Sequence, residues 1–304
     1  MENTTQILIS LDGKFAVGLT YSSLSALLLS IYLFYTLVLF KEREFRSLQA
    51  FPLMLCLSAY DIVQLFVHAL SGILTICEEI NFEYPYLCQV LGATLNSAWV
   101  GLFPLSLIIA VDRLLVFRRF INQQRRLTIT VKIAVMFSFL YCFVFWICLL
   151  TFAKVIYLPN SFAWSYDEDK GSTLMSNIEY SVSIICIVLT FLVYIIISVS
   201  TYMMRKGLNT IRPAERQLLA QAAILFLVLT SLLTCWHHYQ LFLPDTIWTL
   251  FSVNIYWIVY CGLKPLLHMS FSRKIRTSCL LLIGIKLKKK NYNTTSVFIA
   301  NSAH

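Results

Sequence analysis

The side chains of this 304-residue chain that could do chemistry are ionisable groups set inside long apolar stretches. Asp61 and His68 interrupt one stretch. Asp112-Arg113-Leu114 closes another, and Cys235-Trp236-His237-His238-Tyr239 lies in a third. A fourth carries Lys264-Pro265-Leu266-Leu267-His268. Charges in an apolar medium are costly and are retained for function, as counter-ions, relays or switches. Metal chemistry is disfavoured: adjacent helical residues such as His237 and His238 point about 100° apart and do not converge on one ion. No CxxC or Cys/His spacing suggests structural zinc, and no HExxH, GxSxG or paired-carboxylate arrangement suggests a hydrolase. The reading is of a non-enzyme without metal or cofactor.

The elements that must position these groups follow from composition. The chain is 59% hydrophobic and 13% charged, with a mean hydropathy of +0.74. Soluble domains carry about 25% charged residues, so half that amount cannot cover a 35.0 kDa water-soluble protein. A cytosolic enzyme, a disordered chain and a secreted disulfide scaffold are excluded, which leaves a polytopic helical membrane protein. Nine cysteines fall mostly within apolar runs and read as small hydrophobes.

A bilayer core needs about 20 mainly apolar residues per helix. Such runs occur at roughly 15–40, 48–76, 86–117, 127–157, 178–204, 215–243 and 247–271. The first is too long for a signal-peptide core and reads as an uncleaved span. Of the 24 basic residues, 21 lie in alternate loops, the C-terminal segment and the span ends approaching them, against only Lys14, Lys154 and Lys170 on the other side. The richer side takes Arg118, Arg119, Arg125, Arg126, Arg205, Lys206 and Arg212. The positive-inside rule then puts the N-terminus outside and the C-terminus inside. The net charge of +9 therefore reads as membrane orientation and a surface for anionic lipid, with no nucleic-acid partner. Asn3-Thr4-Thr5 is an outside glycosylation sequon; Asn293-Thr294-Thr295 would face the cytoplasm. The expected division is an extracellular segment 1–14, a seven-span domain 15–271 and a cytoplasmic tail 272–304 containing a short amphipathic juxtamembrane helix. Pro213 reads as the first-turn proline of the sixth helix, and Cys279 in the tail is a candidate palmitoylation site.

Taken in order and register, these segments resemble the rhodopsin-like seven-helix G-protein-coupled receptor superfamily over about residues 15–276. Leu57-Ser58-Ala59-Tyr60-Asp61 resembles its second-helix LAxAD, Asp112-Arg113-Leu114 its DRY, Cys235-Trp236 its CWxP, and Lys264 to His268 its NPxxY. The trailing Ser272-Arg273-Lys274-Ile275-Arg276 resembles the start of its eighth helix. Phe162-Ala163-Trp164-Ser165-Tyr166-Asp167 and the Trp257, Pro265, Arg276 layout resemble more narrowly the nematode serpentine chemoreceptors of class T.

The resemblance implies a chemosensory receptor that signals through a heterotrimeric G protein by outward movement of helix six. Its switch would comprise Asp112, Arg113, Trp236, Pro265 and His268. The outer cavity would draw on His68, Asn96, Trp99, Tyr239, Gln240, Asn254 and Trp257, which suits a small, largely apolar or weakly polar ligand. Leu95 stands where amine receptors keep a carboxylate, which disfavours a biogenic amine, and Ile258 stands where an opsin keeps its Schiff-base lysine, which disfavours an opsin. A plasma-membrane, ciliary location in a chemosensory neuron is implied too. The chain departs from the family pattern at several points. His238 replaces the helix-six proline, and Lys264 and His268 replace the asparagine and tyrosine of NPxxY. Residues 158–178 lack the cysteine of the usual outer disulfide, so Cys88 either pairs with Cys77 or stays free. Lys264 either neutralises Asp61 in place of a sodium ion or snorkels to the cytoplasm. Two other readings are a seven-span solute transporter, for which repeated halves are missing, and a non-signalling membrane protein with a degenerate receptor fold.

Overall fold

The computed structural model describes residues 11–41, 51–119, 129–206 and 213–282. Seven helices are long and apolar enough to cross a membrane. They are α1 (Leu11–Lys41), α2 (Phe51–Ile76), α3 (Pro85–Arg119), α4 (Ile129–Thr151), α5 (Lys170–Lys206), α6 (Pro213–His238) and α7 (Ile247–Phe271). A short eighth, α8 (Arg273–Leu282), follows after a break at Ser272. The sequon at Asn3 and the loop residues Arg125, Arg126 and Arg212 lie outside the described residues.

Burial is inverted relative to a soluble protein. Phe137, Leu140, Phe143, Val144 and Ile147 of α4 are exposed, as are Ile185, Val188, Phe191, Leu192 and Val199 of α5. A continuous apolar exterior of this kind is stable only against lipid. The polar groups turn inward, where Asp61, Gln64, His68, Asn96, Glu179, Asn254 and Lys264 are all buried. Helix association in lipid relies on close backbone approach and on polar contacts rather than on hydrophobic burial. The α1–α2 contact follows that rule: a Cβ on Gly72 would stand 2.2 Å from both Gly18 O and Ser22 Oγ.

Three of the seven runs depart clearly from their hydropathy; the sixth, expected to reach residue 243, ends as α-helix at His238 and closes in a 3-10 turn over Tyr239–Leu241. The fourth was expected to continue to residue 157, but α4 stops at Thr151. Val155–Leu158 instead forms a strand, β1, paired antiparallel with β2 (Ala163–Tyr166). Val155, Ile156 and Tyr157 are as apolar as a span but are β-branched or aromatic, and Pro159 closes the run. The fifth helix starts at Lys170, eight residues before its run. Asp169 caps it by accepting from Ser172 N at 2.9 Å, and its hydrogen bonds with Ser172 hold the Asp169 carboxyl below the usual range.

The β1–β2 hairpin covers one end of the bundle and is fastened by hydrogen bonds. Phe162, in a left-handed conformation (φ 54°), directs its carbonyl at two helices. Tyr21 of α1 donates to it at 2.9 Å and Asn254 of α7 at 3.1 Å. Trp164 donates to Ser71 Oγ at 2.9 Å, and the Tyr157 hydroxyl meets Thr75 Oγ1. Gly92 of α3 admits the hairpin, since a Cβ there would lie 2.1 Å from Val155 O.

Of the two alternatives at Cys88 the structure takes the free one, and it buries Cys279. Cys77 and Cys88 are unbonded; Cys77 is exposed, while the buried Cys88 thiol donates to Asn81 Oδ1 at 3.4 Å. The candidate palmitoylation site Cys279 is turned inward. It shares the inward face of α8 with Ile275 and Ser278, is 6% exposed, and its thiol is pushed up by burial.

Candidate functional site

Beneath the hairpin lies a cavity of about 300 Å³. Asn96 and Leu95 of α3, Trp236 and His237 of α6, Val253 and Trp257 of α7, and Trp164 and Tyr166 of the hairpin line it, with Tyr239 at the rim. Four residues expected at a ligand site or switch therefore meet here: Asn96, Trp236, Tyr239 and Trp257. Four others do not line it. His68 and Trp99 stand behind Trp257, with ring centroids 4.9 Å and 5.1 Å away. Asn254 is engaged with Phe162 O, and Gln240 is exposed beside Asp245. A helical stripe sets the angular position of a side chain, but what stands in front of it depends on the hairpin.

Of the adjacent histidines, His237 lines the cavity and His238 does not; His238 Nε2 pairs with Tyr180 OH at 2.8 Å.

Glu179 was missed as a site residue: it is the second residue of the expected 178–204 run, at its outer edge, and was grouped with the acids of the outer side. The longer α5 carries it into the bundle, where it is fully buried. Trp99 Nε1 donates to Oε1 at 2.9 Å, and Asn96 Nδ2 donates to Oε2 at 3.2 Å. The Tyr166 hydroxyl contacts Oε2 as well. Burial, with Glu179 beside it, holds the Tyr166 phenol above its ordinary range, so it remains a hydroxyl.

Trp257 connects this cavity to the interior. Trp236 packs edge-on against it at 5.0 Å, and Trp257 Nε1 donates to Gln64 Oε1 at 2.8 Å. One helical turn from Gln64 along α2 is Asp61. The Lys264 ammonium contacts both Asp61 oxygens, at 2.8 Å and 2.6 Å, and the Tyr32 hydroxyl donates to Oδ2 at 2.6 Å. Both charges are buried, and Lys264 Nζ also lies 5.2 Å from the Tyr260 ring centroid. Lys264 therefore turns inward instead of snorkelling. Among the described residues no cluster of His, Cys, Asp and Glu could hold a metal ion.

At the opposite end from the hairpin, Arg113 lines a cavity of about 90 Å³ together with Tyr32, Tyr35, Lys264 and His268. Its guanidinium is 3.3 Å from Asp112, which is fully buried, while the Arg113 side chain is 20% exposed. His268 bonds the Tyr35 hydroxyl of α1, and Pro265 sits buried within α7 between His268 and the ion pair.

Comparison with known proteins agrees with this architecture. The crystal structure of squid rhodopsin superposes with a TM-score of 0.69 at 14% identity, covering 93% of this chain and 90% of that one. That likeness concerns the fold. Among curated proteins no sequence matches. The family described as the serpentine type 7TM GPCR chemoreceptor Srt matches residues 10–292. With that match over a bundle of seven spans, the chain belongs to the Srt family of seven-transmembrane chemoreceptors, a receptor class among the G-protein-coupled receptors and a multi-pass membrane protein.

Proposed function

We propose that the protein binds a small ligand with a largely apolar body in the cavity under the hairpin and signals to a heterotrimeric G protein at its Arg113 end. In this reading the N-terminus lies outside, as the distribution of Lys and Arg favours, and the receptor resides in the plasma membrane, including the ciliary membrane of a chemosensory neuron. One observation carries the proposal. The ligand-sized cavity and Arg113 occupy opposite ends of one bundle, joined through Trp236, Trp257, Gln64 and the Asp61–Lys264 pair.

The mechanism follows from population shift. A ligand that packs against Trp236 and Trp257 better in one arrangement of α6 than in another favours that arrangement by its differential affinity. A preference of about 5.5 kcal/mol would carry the equilibrium from 1:99 to 99:1. When the Arg113 end of α6 swings outward, the guanidinium, held at rest by Asp112, becomes available to the G protein. Pro265 weakens α7 next to His268, because it supplies no backbone N–H to the helix ladder. Trp236, Pro265 and His268 are then the parts that rearrange, and Arg113 the part that couples. Basic residues flanking this end, among them Arg118 and Arg119, suit anionic lipid headgroups.

Recruitment of a panel of engineered G-protein α-subunits in cells tests the proposal, with and without pooled volatile and soluble small molecules. An Arg113→Glu variant of matched surface expression is run beside the parent. Recruitment by the parent and not by the variant is expected. Equal recruitment by both would remove Arg113 from the coupling face.

A further inference from the structure

Glu179 is a fully buried carboxyl group one side chain behind the cavity wall. Two of the residues that hold it, Asn96 and Tyr166, line that cavity. Among the described residues no lysine or arginine bonds to it. The polar groups around it can be counted. A tyrosine hydroxyl has one hydrogen to donate, yet Tyr166 has two acceptors in reach: Glu179 Oε2, and Asn96 Oδ1 at 2.9 Å. If Glu179 is ionised, Tyr166 serves one acceptor and the carboxylate is a buried charge without a counter-ion. If Oε2 carries a proton, Glu179 donates to Tyr166, Tyr166 donates to Asn96, and every group is paired. The trio closes with one positive charge added to an ionised Glu179, and that charge is either a proton or a cation standing in the cavity.

The remaining wall suits a cation. Trp164, Trp236, Trp257, Tyr166 and Tyr239 line the space, and aromatic rings attract ammonium groups. His237, on the same wall, has an Nε2 with no hydrogen-bond partner and offers an acceptor to a ligand N–H.

We infer that the ligand is a small amine bound as its cation: its apolar body packs among the tryptophans, and its ammonium takes Glu179 as counter-ion across Asn96 and Tyr166. The proton that Glu179 carries at rest leaves to water as the cation enters, so no buried charge is left unbalanced. The other titratable groups facing this region are Tyr166 from the hairpin, Tyr141 from α4 and His237 from α6. The missing carboxylate at Leu95 is thereby supplied from α5. The inference rests on the receptor reading of the cavity, and it concerns only which ligands that cavity accepts.

The test is direct binding to the purified full-length receptor, read as thermal stabilisation, so that it does not depend on G-protein coupling. Benzylamine, isoamylamine and benzyltrimethylammonium are compared with benzyl alcohol and isoamyl alcohol. The amines are expected to stabilise the receptor at concentrations roughly tenfold or more below those of the alcohols. Glu179→Gln, isosteric with the protonated acid, should keep the resting network and lose that preference. Tyr166→Phe leaves the carboxyl in place and removes the hydroxyl before it, so the preference should persist. Failure of every amine to bind, equal binding of amines and alcohols, or a preference that survives in Glu179→Gln would each overturn the inference. If Glu179→Gln does not fold, loss of the preference in Tyr166→Phe would overturn it as well. Absence of G-protein recruitment together with amine selectivity would overturn the signalling reading and leave this one standing.

Discussion

The ammonium of Lys264 lies 2.8 Å and 2.6 Å from the two carboxylate oxygens of Asp61, in the interior of a bundle whose outer surface faces lipid. The Tyr32 hydroxyl, bonded to the same carboxylate at 2.6 Å, makes this a three-part site shared by α1, α2 and α7. Paired, the two charges are tolerated; either one alone would be a buried charge without solvation.

Removing one partner should therefore cost far more than removing both. Lys264→Ala is expected to lower stability by about 3–5 kcal/mol and to reduce surface expression, and adding Asp61→Asn should restore much of both. Thermal unfolding and surface labelling of the two single variants and the double variant check this. Simple additivity would mean that the two side chains are not coupled.

A sodium ion gains nothing at a carboxylate already held by an ammonium. The unfolding midpoint in sodium chloride should match that in choline chloride at equal ionic strength. A sodium-specific rise would show that the pair opens to admit the ion.

Trp257 and Gln64 make a hydrogen bond that joins the aromatic floor of the cavity to the helix turn above Asp61. Trp257→Phe leaves the buried Gln64 carbonyl without its donor, at a cost of about 1–3 kcal/mol. Replacing Gln64 by Leu in the same chain should recover part of that loss. Unfolding of single and double variants measures the coupling, and no recovery would argue that the indole matters only for its size.

Gly92 leaves room for the hairpin. A methyl group there would overlap Val155 O, a backbone atom that cannot rotate away. Gly92→Ala should destabilise by about 1–3 kcal/mol and weaken binding in the cavity, because Val155 also lines it. An unchanged unfolding midpoint would show that the hairpin can lift without loss.

Cys77 and Cys88 should both be alkylated after unfolding without reductant, since neither is bonded. Mass spectrometry of the unreduced protein reads this directly; a peptide linked through the two cysteines would contradict it. Cys279 should likewise carry no acyl group in an acyl-exchange assay.

What could be read from residues alone was whatever is local in the chain. Seven spans were legible because each is a property of some 20 consecutive residues, and α8 because its apolar residues recur with helical spacing. The identities of Asp61, Arg113, Trp236 and Lys264 as charged or aromatic interruptions needed no coordinates. Their partners did. Asp61 and Lys264 are 203 residues apart, and whether the lysine turns inward or snorkels depends on which helices surround it. Tyr32, which completes that site, carries no local signal at all.

The hairpin was hidden inside an apolar run because hydropathy does not distinguish a short buried strand from the end of a helix. Its register then decides what faces the cavity. It brings in Trp164 and Tyr166, occupies Asn254 through Phe162 O, and leaves His68 and Trp99 behind Trp257. Glu179 was legible as an acid and missed as a site, since its place at the edge of an apolar run does not say whether the side chain turns into the bundle or toward the outer loops. Sequence alone determined that the chain is a seven-span membrane protein with charges kept inside it. Only the tertiary structure decided which of those charges meet and which carboxyl group lies behind the cavity wall, because both depend on contacts between segments that hydropathy treats one at a time.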